Sequence, residues 1–327
     1  MSLSRLGLSL GLGGGTSATS SGGGGGGAAA ANPLLDDYGS AKIGYSLRHL
    51  NSSYSGNCIK VRLTSGPNTW FYEAGFSSGV LDTAGVEAFV ASNAAGSDAF
   101  VHTWYDQSGN GINATQAEGI YQPKIVDSGS VVTLNGKPSM DFDGTDDHLD
   151  IGSEVFGNTN LGTGNMSFWG VASLDSATTA TNNPFTLIGE GTSATTNTYF
   201  LSYGDKFGAV GDGSTANLYR VSTSGSVGPQ VKDTQLNLIS HTSQFILGYT
   251  WDGTTHRLSS NDNSVVTDTT TPNPYAGYAN NSIGCASSKV GSEMWDGKVA
   301  ELVQWHSSQE SNRAGIFSNI NGFYGAY

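Results

Sequence analysis

The chain is poor in cysteine, in charge and in long apolar runs, and each shortage closes off a class of protein. Only Cys58 and Cys285 occur in 327 residues. Two cysteines do not make a disulfide scaffold, and these fit no metal spacing such as Cys-x-x-Cys. They read as two buried thiols, with a single long-range disulfide as the alternative. Assembly in a reducing cytoplasm fits so low a count. Charged residues make up 13% of the chain, and 14 Lys plus Arg stand against 27 Asp plus Glu, a net charge of −13. Nucleic acid and anionic membrane surfaces both require a basic footprint, so neither is expected as a partner. No stretch reaches the roughly 18 apolar residues of a membrane span. The six histidines, His49, His102, His148, His241, His256 and His306, show no zinc spacing. There is no Gly-x-Ser-x-Gly elbow, and the poly-Gly tract lacks the Lys-Ser/Thr of a phosphate loop.

Glycine is abundant instead, at 47 of 327 residues, about twice the usual share. Ser, Thr and Asn are also plentiful, while 37% hydrophobic residues suffice for a core. Low charge, small polar residues and short apolar runs predict an all-β protein with many turns. Three segments are expected. In residues 1–12, Leu6, Leu8, Leu10 and Leu12 alternate with small residues at strand period. Four leucines on one face of a lone strand need a sheet edge or groove elsewhere, so this segment reads as a docking peptide. Ser and Gly interrupt it too often for a secretory signal. Residues 13–31, rich in Gly, Ser and Ala, read as a flexible tether. Residues 32–327 form the globular part.

Within it, "AKIGYSLRHL" suggests a helical turn with Ile43, Leu47 and Leu50 on one face. "CIKVRLT" alternates outward Lys60 and Arg62 with inward Ile59, Val61 and Leu63, a strand pattern. "LDTAGVEAFVASNAAG" predicts a helix capped by Asp82 or Thr83 and stopped by Gly96. Val86, Phe89 and Val90 would form its apolar face. From about residue 123 onward, apolar alternations bounded by Gly, Asp or Asn follow one another. Asp-Gly pairs at 143–144, 212–213, 252–253 and 296–297 suit tight turns between them. Eight or more such strands predict a jelly-roll sandwich, closed by a C-terminal helix capped near Ser311 that packs through Ile316, Ile320 and Phe323.

The densest chemistry is "TWYDQSGNG", residues 103–111. Asp106 precedes a turn and is expected to accept backbone N–H bonds from Ser108 to Asn110. Trp104 and Tyr105 would anchor the loop, and Gln107 and Asn113 would knit neighbouring backbone. Together with "YSLRHLNSSYSGNCIKVR", "INATQA" and "QPKIV", this block resembles the catalytic domain of fungal α-L-arabinofuranosidase B. That family shows Tyr-Asp-Gln-Ser-Gly-x-Gly-Asn-His-x-Thr-Gln at this point. "VTLNGKPSMDFDGTDDHLDI" and "NSIGCASSKVGSEMWDGKVAELVQWHSS" resemble the concanavalin/laminin-G-like sandwich. The composite of N-terminal peptide, sandwich and closing helix also resembles phage tail and fibre proteins. The resemblance runs over roughly residues 40–327 and implies saccharide chemistry.

It does not carry the catalytic acids across. The family's nucleophilic Glu precedes a Tyr-Phe-Gly-Asp stretch. Its best match here, Ser202-Tyr203-Gly204-Asp205, puts that position near Tyr199, with no acid between Gly191 and Gly204. The acid/base Asp has no placed counterpart, and the family's adjacent cysteines are missing. Glu190 and Asp205 remain as weak catalytic candidates at strand ends. The expectation is therefore a virion structural protein on a tail, baseplate or capsid. Its N-terminus would bind other virion proteins, and its lectin-like domain a host surface glycan. Fibre proteins of this kind imply a homo-oligomer, a trimer first. The alternatives are a glycoside hydrolase or a decoration protein without ligand. Candidate glycan contacts are Trp251, Tyr275, Tyr278, Trp295 and Asn280, with Trp70 and Tyr121 as further surface aromatics. No cofactor is expected. Asp143, Asp146 and Asp147 in "DFDGTDDHLD" are weak calcium candidates in what reads as a solvated hairpin.

Overall fold

A computed structural model describes residues 32–63, 70–151, 165–175, 185–190, 199–203, 219–223, 230–232, 243–261, 265–269, 281–285 and 294–327. The docking peptide and tether, the Asp-Gly pair at 212–213, and the residues Leu6, Leu8, Leu10, Leu12, Asp205, Tyr275, Tyr278 and Asn280 lie outside them.

The fold is an all-β sandwich with three α-helices among the described residues, α1 (Leu34–Asp37), α2 (Thr83–Ala94) and α3 (Arg313–Tyr324). The longer strands are β1 (Ile43–Ser46), β2 (Ile59–Leu63), β3 (Trp70–Ala74), β4 (Ala99–Trp104), β5 (Lys124–Asp127), β6 (Met140–Asp143), β7 (Leu149–Ile151) and β8 (Met166–Ala172). They continue with β9 (Phe185–Glu190), β10 (Tyr199–Tyr203), β11 (Tyr219–Thr223), β12 (Phe245–Trp251), β13 (His256–Ser260), β14 (Asn281–Ile283) and β15 (Asp296–Trp305). All pairings among them are antiparallel. The sheet forks at β4. One branch runs through β5, β6, β15, β8, β12 and β13. The other runs through the short strand Ala114–Thr115, then β7, β14, β9, β10 and β11. The branches share one core, which joins Phe168 and Leu302 of the first to Ile151, Ile188 and Ile283 of the second.

A second core lies on the opposite side of the first branch. Trp169, Val171, Ile246, Ala300, Val303 and Trp305 pack there against Ile316, Phe317 and Ile320 of α3. Strands β8 and β12 are consequently buried at every position. Gly248 makes room for this contact, since a Cβ there would lie 2.7 Å from the Phe317 ring. The indole N–H of Trp305 donates to the carbonyls of Tyr38 (2.9 Å) and Gly39 (3.1 Å), tying β15 to the chain after α1.

Helix α2 lies at its expected place. Asp82 accepts from the Gly85 amide at 3.1 Å. Val86 and Val90 are buried, and Phe89 is half-buried against the core. Other expectations are corrected. "AKIGYSLRHL" holds a strand rather than a helical turn, because Ile43 to Ser46 pair with Gln304 to Glu301 and are covered on both sides. Arg62 points outward but is buried, for a reason given below. Asp296-Gly297 is not a turn. It starts β15 opposite Phe142 and Asp143, and glycine is required because a Cβ at Gly297 would overlap the Ser173 carbonyl. The last helix is found where expected, with Asn312, next to Ser311, at its N-cap and a 3-10 turn at Glu310–Asn312 before it. Cys58 and Cys285 are buried and form no disulfide, in keeping with the reading of two buried thiols.

Candidate functional site

The Trp104–Asn113 loop spends its polar atoms on the fold. The Asp106 carboxylate accepts from the amides of Gly44 (2.9 Å), Ser108 (2.9 Å) and Ile112 (3.1 Å) and from the Ser108 hydroxyl (2.7 Å). The expected bond from Asn110 goes elsewhere, its amide donating to the Ser108 hydroxyl at 3.2 Å. Gln107 is fully buried. Its Oε1 accepts from the Leu50 amide (2.8 Å), while its Nε2 donates to the carbonyls of Ser46 (2.9 Å) and Arg48 (3.0 Å). Trp104 is buried against Tyr45, ring centres 5.6 Å apart, and the Tyr105 hydroxyl donates to Glu73 at 2.7 Å. The Asn113 side chain accepts from the Asp106 amide at 3.0 Å. A carboxylate holding four donors has no free face for catalysis. The loop splices β1 and its following segment to β4.

The acids of the 143–147 hairpin converge. Asp143, Asp146 and Asp147 each bring a carboxylate oxygen within 4.8 Å of the others. Part of that closeness is turn chemistry. Asp143 accepts from the amides of Thr145 (2.8 Å) and Asp146 (3.2 Å), and Asp147 accepts from the Asp143 amide (3.0 Å). Asp147 is buried, and burial, reinforced by the charge of Asp143, pushes its carboxyl up to about 8. A carboxyl raised this far can serve as a proton donor. Glu190 ends β9, opposite Tyr199 and Asn281.

The tryptophans proposed as glycan platforms are core residues. Trp251 is 0% and Trp295 1% exposed. Trp251 stacks on His256 at 3.9 Å and Trp295 packs against Phe245, so neither presents a ring face to a ligand. Trp251 ends β12, whose two faces are both covered, and Trp295 lies just before β15.

Two exposed aromatics lie side by side on β3 instead. Trp70 is 47% and Phe71 45% exposed. Tyr72, between Phe71 and Glu73, turns inward and stacks on Phe89 of α2 at 5.3 Å, which sends Phe71 and Glu73 outward. Cross-strand register then sets Phe71, Arg62, Phe100 and Lys124 side by side across β3, β2, β4 and β5. Lys60 Nζ lies 4.8 Å from the Phe71 ring centre, and His102 meets that ring edge-on at 5.2 Å. Burial and the charges of Lys60 and Arg62 depress the His102 imidazole pKa. Arg62 is covered by the 3-10 turn Gly119–Tyr121, where Gly119 leaves room for the guanidinium and Ile120 stands 74% exposed. Tyr121 is half-buried against His148. Sequence reading singled out Trp70 and Tyr121 but missed Phe71, Lys60 and His102. The available signal was three consecutive aromatics, "WFY", on a strand next to "KVR".

No family model matches the chain, and no curated protein matches it. Solved structures share its fold. A GH54 α-L-arabinofuranosidase soaked with a cyclic sulfate inhibitor superposes with a TM-score of 0.61 at 17% identity, over 86% of this chain and 62% of that one. A mutant of such an enzyme soaked with 4-nitrophenyl α-L-arabinofuranoside gives 0.63 at 17% identity over the same shares. An arabinofuranosidase complexed with arabinofuranosyl-α-1,2-xylobiose gives 0.58 at 18% identity, again over 86% and 62%. The chain thus spans about three fifths of the length of these proteins. The likeness establishes the sandwich, the same fold that the Tyr-Asp-Gln-Ser-Gly block pointed to.

Proposed function

We propose that residues 32–327 recognise a saccharide on the outer face of β2, β3 and β4. The observation that carries this reading is the exposed Phe71 ring, framed by Lys60 and His102. Sugars bind to such faces by stacking a C–H surface on an aromatic ring and engaging polar groups at its rim. The shared fold supports the reading, since one structure of that fold holds arabinofuranosyl-α-1,2-xylobiose. Glycan-array binding that is lost in Phe71→Ala, with the variant still folded, tests it. An array that stays silent for the wild-type chain refutes it.

A second reading, a glycoside hydrolase, draws on the Asp143–Asp147 pair and on the arabinofuranosidases that share the fold. Asp147 would be the acid and Asp143 the partner carboxyl. Turnover of 4-nitrophenyl α-L-arabinofuranoside or of a capsular polysaccharide that vanishes in Asp143→Asn and Asp147→Asn would establish it. Dependence on Glu190→Gln or Asp205→Asn would place the chemistry at those acids instead. Saccharide binding without turnover leaves the first reading standing.

The setting we propose is a virion surface, on a tail or on the capsid exterior. Leu6, Leu8, Leu10 and Leu12 would dock on another virion protein, and residues 13–31 would hold the sandwich clear of it. A trimer would multiply weak glycan contacts through avidity. Deletion of residues 1–12 should release the protein from purified particles, and retention would refute the docking role. Glycan-array silence together with unchanged host range after loss of residues 32–327 would favour a decoration protein.

A further inference from the structure

We infer that the saccharide bound by the β2–β3–β4 face is acidic, its carboxylate set by Arg62 with Lys60 at the rim. The inference rests on the saccharide reading above and names the class of sugar for that same face. Three other cations on this side of the sheet are neutralised within the protein. Lys60 lies 3.5 Å from Glu73, Lys124 lies 2.9 Å from Asp98, and Lys298 lies 2.8 Å from Asp175. Arg62 differs. Its Nε donates to Gln122 Oε1 and its Nη2 to the Gly119 carbonyl at 2.7 Å, both neutral acceptors. Its guanidinium also lies 5.3 Å from the Phe100 ring centre. Among the described residues, no carboxylate pairs with it and nothing accepts from Nη1.

A guanidinium that is only 8% exposed and has no counter-charge projects an unbalanced positive field. On the neighbouring strand, burial first and then the charges of Lys60 and Arg62 lower the His102 pKa. In a chain of net charge −13, this is a local inversion of sign. Glu73 is the opposing group on the face, and it is engaged by Lys60, by the Tyr105 hydroxyl (2.7 Å) and by Asn57 (3.3 Å). Phe71 beside Arg62 supplies a ring for the sugar's apolar face, and the N–H groups of Arg62 Nη1 suit a carboxylate oxygen.

The test uses the full chain in affinity electrophoresis and calorimetry. The probes are polygalacturonate, alginate and hyaluronan, against dextran and methyl-esterified polygalacturonate. We expect at least one acidic polymer to bind about tenfold more tightly than the neutral ones at low salt, the gap narrowing as salt screens the charge. Arg62→Gln should abolish the preference while leaving binding of the neutral polymers. Should Arg62→Gln fail to fold, Lys60→Glu, at a partly exposed position, should reverse the preference. Equal affinity for polygalacturonate and its ester, with binding retained, overturns the acidic assignment and spares the saccharide reading. Binding to none of the polymers and to no glycan on the array overturns both. Binding of poly-L-glutamate as tight as that of the acidic polysaccharides overturns the assignment in favour of an acidic protein partner.

Discussion

Removing the Glu301 carboxylate should unseat the C-terminal helix, because one buried charge holds three elements together. Glu301 is fully buried on β15, and its partner Arg48 is 5% exposed. The carboxylate accepts from Arg48 Nε at 2.7 Å and Nη2 at 2.9 Å, from the Ser46 hydroxyl at 2.8 Å and from the Tyr324 hydroxyl at 3.2 Å. Arg48 Nη1 reaches Asn319 Oδ1 on α3 at 2.9 Å. Burial opposes the guanidinium's charge, and Glu301 more than offsets it, so the Arg48 pKa lies above its usual value. Glu301→Ala leaves Arg48 charged, buried and unpaired, which costs about 3–5 kcal/mol. In a domain of this size each kcal/mol lowers Tm by about 2–4 °C, so a fall of about 6–20 °C is expected. Thermal unfolding followed by circular dichroism, with urea titration for the free energy, measures it. The pair Arg48→Met with Glu301→Leu removes both charges and should recover most of the loss. A single variant that loses less than about 1 kcal/mol, or a double variant no better than the single one, refutes the argument.

Asp147 should make the protein less stable as pH rises. Its carboxyl is about 8 when folded against about 3.9 unfolded, so the unfolded chain releases that proton first and stability falls between those values, by up to about 1.4 kcal/mol per pH unit. Asp147→Asn should flatten the fall in urea titrations at pH 5 and pH 8, and parallel curves would refute it. Millimolar calcium should leave Tm unchanged relative to EDTA if the 143–147 acids are only a hairpin, and a rise would mark them as ligands. Gly297→Ala should cost about 3 kcal/mol, since the new Cβ meets the Ser173 carbonyl and lies 2.7 Å from Leu174 Cα at a φ of 146°. Asp106→Asn should destabilise by about 1–3 kcal/mol, through weakened amide bonds, without altering saccharide binding; a binding defect in folded protein would return the loop to the functional surface.

Much of the fold was legible because it is encoded locally. The alternation in "CIKVRLT", the Asp82 cap before "TAGVEAFV" and the Asp-Gly turns at 143–144 and 252–253 each rest on residues a few positions apart. "AKIGYSLRHL" was misread because its apolar spacing fits a helical turn, while its partner strand lies about 255 residues further on. The candidate face was half legible. Trp70 stood out as a surface aromatic, but Phe71, Lys60 and His102 gain meaning only once β2, β3 and β4 are aligned.

By itself the sequence settled what short-range physics controls: an all-β chain with turns at fixed places, an acidic balance, and a Tyr-Asp-Gln-Ser-Gly block bound to hold backbone. Tertiary structure decided which faces meet water. Trp251 faces the core between the two branches and is sealed there, while the outer face of β3 stays open and leaves Phe71 exposed. It also decided which charges find partners, giving Glu301 to Arg48 and, among the described residues, only neutral acceptors to Arg62. Periodicity along a strand fixes that side chains alternate, but only elements far away in the chain determine what each side is packed against.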